Sequence, residues 1–118
     1  MRKFIFLIIL SFLITGVPGK AATDSSEDMV TMVDLGSKNC YPCRMMAPDL
    51  KNLGKFYEGK AIIKVIDIIK NPEERKKYDS FAMPTQIFFD KKGRERYRHE
   101  GYMEKKEIRK IIDQLLAE

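Results

Sequence analysis

The chain has 118 residues, enough for one small domain, with 22 Lys+Arg against 17 Asp+Glu and a formal charge of +5. Its two cysteines are too few for a disulfide-rich scaffold. With a single histidine they also fall short of a closed four-ligand zinc site within one chain, so no metal is expected.

Arg2 and Lys3 form a charged start, and Phe4 to Thr15 is an apolar run of 12 residues broken only by Ser11. Gly16, Pro18 and Gly19 follow, and Gly19 and Ala21 place small residues at the −3 and −1 positions of a cut. This pattern predicts a secretory signal over residues 1–21, cleaved after Ala21. The rival is an uncleaved membrane anchor, which the run is short to be, since a stable span needs about 20 apolar residues. Cleavage would remove Arg2, Lys3 and Lys20 and lower the charge to +2. The basic balance is then largely a matter of targeting and makes no case for nucleic acid.

Residues 22–29 are polar and acidic and read as a linker to a domain over 30–118. Val30 to Leu35 is dense in apolar and β-branched residues and predicts a buried strand. Gly36 to Asn39 is a turn, and a helix should begin near Pro42, since proline suits a first helical turn. Met46, Leu50, Leu53 and Tyr57 mark one face of that helix, which should end near Tyr57 or Glu58, before Gly59. The first part of Ala61 to Ile69 reads as a second strand, parallel to the first because a helix connects them. Asn71-Pro72-Glu73-Glu74 is a strong helix start, and this helix should end near Ser80. Thr85 to Phe89 predicts a strand, Asp90 to Gly93 a hairpin turn, and Arg94 to His99 the returning strand. The alternating Arg94, Arg96 and Arg98 suit an edge strand with one wet face. Ile108, Ile111, Ile112, Leu115 and Leu116 form the apolar stripe of a last helix from about Glu104. The order β-α-β-α-β-β-α predicts an α/β domain: one four-stranded mixed sheet with helices on both faces.

Both cysteines lie in Cys40-Tyr41-Pro42-Cys43, where the first strand gives way to the first helix. A sulfur at a helix N-terminus meets unpaired backbone N–H groups and the positive end of the helix dipole, which favour a thiolate. A thiolate attacks disulfides, and a second thiol three residues on can resolve the mixed disulfide. Cys40 is thus the expected nucleophile and Cys43 the resolving thiol. A purely structural disulfide explains the motif poorly, because so short a loop constrains the unfolded chain little.

With these features in place the sequence resembles the thioredoxin family over nearly all of residues 30–118. Asp34 stands six residues before Cys40, where the family keeps a buried Asp. Pro42 keeps the proline of the motif, Met45-Met46-Ala47-Pro48 resembles the segment that kinks the motif helix, and Met83-Pro84-Thr85 matches the loop whose cis proline faces the cysteines. Gly101 falls where the family has a glycine beside the groove. Five departures stand out. Asn39 replaces the tryptophan before the first cysteine, and Gly36-Ser37 replaces Trp-Ala. Tyr41 replaces glycine between the cysteines, and Val65 aligns with a lysine that often faces the Asp, with Lys64 one residue off. The family's usual first strand and helix are missing or vestigial.

The resemblance implies a catalytic role for Cys40, Cys43 and Asp34, the acid passing protons to and from the inner sulfur. It implies a substrate groove from Tyr41, Pro42, Met83, Pro84, Thr85, Gly101 and Tyr102, in which Tyr41, Met83 and Tyr102 form an apolar rim for extended polypeptide. The expected protein is an exported, periplasmic disulfide reductase, a monomer with no cofactor beyond its Cys40–Cys43 disulfide. Its partners would be protein thiols and disulfides and a membrane electron donor. An oxidase or isomerase of the same fold is the alternative, and a binding module with an idle motif is a further one.

Overall fold

A computed structural model describes residues 28–118; the predicted signal segment and most of the linker lie outside the described residues. The run of β-branched and apolar residues forms β1 (Val30–Gly36), every residue of which is buried except the half-buried Thr31. A strand buried on both faces belongs in the middle of a sheet. β1 pairs in parallel with β2 (Ala61–Asp67) and antiparallel with β3 (Thr85–Phe89), which pairs antiparallel with β4 (Glu95–Glu100). The sheet order is β2-β1-β3-β4, so β2 and β4 are its edges.

Helix α1 (Tyr41–Phe56) starts one residue earlier than expected, with Cys40 as its N-cap. Met46, Leu50 and Leu53 are its buried stripe, with Cys43 above them and Tyr57 at the C-cap. α3 (Lys105–Leu116) buries Ile108, Ile112 and Leu115. These two helices share one core cluster with Val30, Met32 and Phe88 of the sheet. Val33, Leu35, Ile66 and Ile87 point to the other face. The period of two along each strand produces this division. α2 (Pro72–Lys77) buries none of its own residues, and the second face is covered by Tyr78 just beyond it. It stops short of Ser80 because Asp79 adopts a left-handed φ of 48°.

The returning strand begins at Glu95 rather than Arg94. Asp90 and Arg94 exchange hydrogen bonds across the turn: Asp90 N–H donates to the Arg94 carbonyl at 3.0 Å, and Arg94 N–H donates to Asp90 Oδ1 at 3.0 Å. Arg94 therefore closes the hairpin. The three arginines are engaged within the chain. Arg94 pairs with Asp90, Arg96 with Asp90 and Glu118, and Arg98 with Glu95. Arg98 also donates to the Tyr78 carbonyl at 2.9 Å, tying the edge strand to the end of α2.

Tyr57 links α1 to α3. Its ring is 2 % exposed and its hydroxyl donates to Asp113 Oδ1 at 2.6 Å. Burial and the bond to Asp113 push the phenol up to about 12. Tyr57→Phe keeps the ring and loses the bond, so it should destabilise the fold by about 1 kcal/mol. Urea unfolding at neutral pH measures this, and a variant as stable as the parent would show that the bond adds nothing over water.

Candidate active site

The site is built where β1 ends. Gly36 closes the strand, and Ser37 to Asn39 turn the chain into α1. Cys40 N–H donates to the Ser37 carbonyl at 3.2 Å and Asn39 N–H to Ser37 Oγ at 3.2 Å, which holds this turn. Cys40 has extended backbone at the N-cap, and its sulfur accepts the Cys43 N–H at 3.3 Å. The sulfur thus takes the place of a capping oxygen, at the positive end of a 16-residue helix. Cys40 and Cys43 are joined by a disulfide. Cys40 is half-buried and Cys43 is only 8 % exposed, as their positions at the cap and one turn inside require.

Asp34 lies on the α1 face of the sheet, 2 % exposed. Its register partners are Val65 on β2 and Gln86 on β3. Lys64 pairs with Val33 and so falls on the opposite face. Gln86 Nε2 donates to Asp34 Oδ1 at 3.1 Å. Burial pushes the Asp34 carboxyl up, to about 6, against the smaller opposing effect of the Gln86 bond. A Cβ on residue 36 would stand 2.9 Å from Cys43 Sγ and 3.7 Å from Asp34 Oδ2. The missing side chain of Gly36 thus lets the inner sulfur and the acid share one space. That space opens as a pocket of about 230 Å³ whose lining includes Asp34, Cys43, Lys38, Arg44, Val65 and Asp67.

The second wall is the loop before β3. The Met83–Pro84 peptide bond is cis, and Pro84 is buried. Gly101 N–H donates to the Pro84 carbonyl at 2.7 Å, which sets Gly101 and Tyr102 beside Met83 and Pro84. Gly101 has φ 97°, a conformation that favours glycine. Tyr41, Met83 and Tyr102 are exposed, and Arg44 lies 5.9 Å from the centroid of the Tyr41 ring.

Thr85 has a different place from the one expected. It is fully buried, with its hydroxyl donating to the Ala82 carbonyl at 2.7 Å and accepting from Ser80 Oγ at 3.3 Å. It shapes the loop and offers no surface to a substrate. Two residues were not singled out from the sequence. Phe81, on the same loop as Met83, is 77 % exposed. Its sequence signal was an aromatic residue directly before a turn. Gln86 had only a weak one, a polar residue within an apolar strand.

The Thioredoxin family model matches residues 21–114. A thioredoxin of Staphylococcus aureus is 37 % identical over 90 residues, covering 76 % of this chain and 86 % of that protein. Among solved structures, Fasciola hepatica thioredoxin superposes with a TM-score of 0.64 at 33 % identity, over 74 % of this chain and 81 % of its own. Drosophila melanogaster Deadhead, a germline-specific thioredoxin, superposes with a TM-score of 0.68 at 26 % identity, over 76 % and 84 %. The chain, with its four-stranded mixed sheet and its Cys40–Cys43 disulfide, belongs to the thioredoxin family of thiol–disulfide oxidoreductases.

Proposed function

We propose that this protein is an exported disulfide reductase acting on other exported proteins. The observation that carries the chemistry is the asymmetry of the two sulfurs: Cys40 caps α1 and is half-buried, while Cys43 is buried beside Asp34. In the dithiol state the Cys40 thiolate attacks one sulfur of a substrate disulfide. The substrate S–S bond breaks, and its other sulfur leaves as a thiolate that takes a proton from water. Cys43 then gives its S–H proton to the Asp34 carboxylate, and its sulfur attacks Cys40 Sγ. The Cys40–Cys43 disulfide forms and the second substrate thiolate leaves. Two electrons have passed to the substrate, and the motif is left as the Cys40–Cys43 disulfide. The exposed Tyr41, Phe81, Met83 and Tyr102 suit an extended polypeptide around the attacked bond.

Export rests on the charged, apolar and small-residue order of residues 1–21. The reductive direction rests on the motif. Thioredoxin has a potential near about −270 mV, against about −120 mV for a strong oxidant of the same chemistry whose thiolate is much more stabilised. Tyr41 and Pro42 bring no charge between the cysteines, so a thioredoxin-like value is expected. A reductase working in an oxidising compartment needs electrons delivered, which calls for a membrane partner. The test is equilibration of the Cys40–Cys43 pair against a glutathione buffer, with insulin reduction by dithiothreitol alongside. A potential above about −180 mV would make the protein an oxidase or isomerase. No turnover above background would leave a binding module.

A further inference from the structure

Gln86 is fully buried, 52 residues from Asp34 in the chain and directly opposite it across β1 and β3. Its Nε2 donates to Asp34 Oδ1 at 3.1 Å and approaches Met46 Sδ at 3.6 Å. Its Oε1 is buried with no hydrogen-bond partner. A buried amide with an orphaned acceptor is costly, and an apolar side chain would fill the same space without that cost. The value of this residue lies in its donor. Among the described residues it is the one hydrogen-bond donor to the Asp34 side chain. The charged groups lining the pocket with Asp34 are Lys38 from the turn, Arg44 from α1 and Asp67 from β2, and none of them pairs with it. β1 adds only Gly36 there, β2 also adds Val65 and Ile66, and α1 adds Cys43, here held in the disulfide.

Gln86 engages Oδ1, and Oδ2 is the oxygen that faces the space shared with Cys43 Sγ. We propose that Gln86 is a positioning residue of the redox site, fixing Oδ1 of Asp34 so that Oδ2 stays turned toward Cys43 as the acceptor of its thiol proton. This deepens the oxidoreductase reading above and rests on it. In the step concerned, the proton moves from Cys43 sulfur to Oδ2 and the Cys43 sulfur bonds to Cys40 Sγ. The Cys40–substrate bond breaks, and its electron pair leaves on the substrate sulfur. The same hydrogen bond stabilises the carboxylate, opposing the burial that raises its pKa.

The test is a carbon-13 NMR titration of the Asp34 carboxyl in the oxidised full chain, where the cysteines do not titrate. The signal is assigned by its loss in Asp34→Asn. Gln86→Met and Gln86→Leu each remove the donors and keep an apolar filling, and either one serves if the other loses the fold. Each should move the Asp34 midpoint up by about one pH unit. The acid limb of the insulin-reduction profile should move with it, and in an Asp34→Asn background the Gln86 substitutions should leave the profile unmoved. A midpoint unchanged in the folded variants overturns the proposal, as does a midpoint that moves while the acid limb stays. If the parent reduces no insulin, the reductase reading fails by itself, and the titration still decides whether Gln86 acts on Asp34.

Discussion

Cys43→Ser should turn the protein into a trap that accumulates mixed disulfides with its substrates, while Cys40→Ser should form none. Both variants should lose insulin turnover, Cys40→Ser by a factor on the order of 10³ or more, since the attacking atom is gone. The order follows from the helix. Cys40 sits at the N-cap, where its sulfur accepts the Cys43 N–H at 3.3 Å and a negative charge is favoured. Cys43 lies one turn inside, 8 % exposed, where a bulky substrate sulfur cannot reach it first. In Cys43→Ser the first exchange proceeds and no thiol remains to release the substrate. Non-reducing electrophoresis and intact mass after incubation with an oxidised substrate protein read the outcome. Adducts that build up in Cys40→Ser alone would reverse the assignment of the two sulfurs.

Asp34→Asn should make the oxidised protein more stable at pH 8 and change its stability little at pH 4, while slowing turnover at neutral pH. The carboxyl is pushed from 3.8 to about 6 by burial. Between these values the folded chain holds a proton that the unfolded chain has released. The folded state is therefore favoured most below pH 4, and that advantage is lost as pH rises through about 6. Above pH 6 the parent carries a buried carboxylate at a cost of roughly 3 kcal/mol, from a difference of about two pH units at about 1.4 kcal/mol each. Asparagine has no such charge, so the gap between variant and parent should open across pH 4 to 6 and then stay level. Urea unfolding at pH 4 and pH 8 measures it. A gap of equal size at both values would mean that Asp34 does not titrate within the fold as burial requires. The loss of turnover would come from removing the proton acceptor of Cys43, so stability and activity move in opposite directions at one position.

Most of the secondary structure was legible because its signals are local. The apolar run at 30–35, the Asn71-Pro72 start of α2 and the stripe from Ile108 to Leu116 each speak for their own segment, and the element order follows. Besides the one-residue earlier start of α1, two boundaries were misplaced, at Lys77, where Asp79 turns left-handed, and at Arg94, drawn into the turn by Asp90. Both depend on a single backbone angle or a single side-chain bond, which no periodicity carries. The helices on both faces were also foreseen, though α2 contributes only through the neighbouring Tyr78.

For the site, the spacing of Cys40 and Cys43 at a strand-to-helix turn was sufficient to single out the two sulfurs, while Asp34 was picked out by its resemblance to the buried Asp that the thioredoxin family keeps six residues before the motif. Folding added what depends on strand register. Gln86 reaches Asp34 only because β3 pairs with β1 in one alignment, and a slip by one residue would turn it to the other face, where Lys64 lies. Thr85 looked like a substrate contact and is an internal loop fastener, because its hydroxyl finds partners at Ala82 and Ser80 that only the closed loop supplies. Gly36 is plain in the sequence, yet the space it leaves between Cys43 Sγ and Asp34 Oδ2 exists only once β1 and α1 are packed together. Chemistry carried by adjacent residues can be read along the chain, whereas the surroundings that set a proton's affinity come from segments far apart in sequence, brought together by pairing and packing.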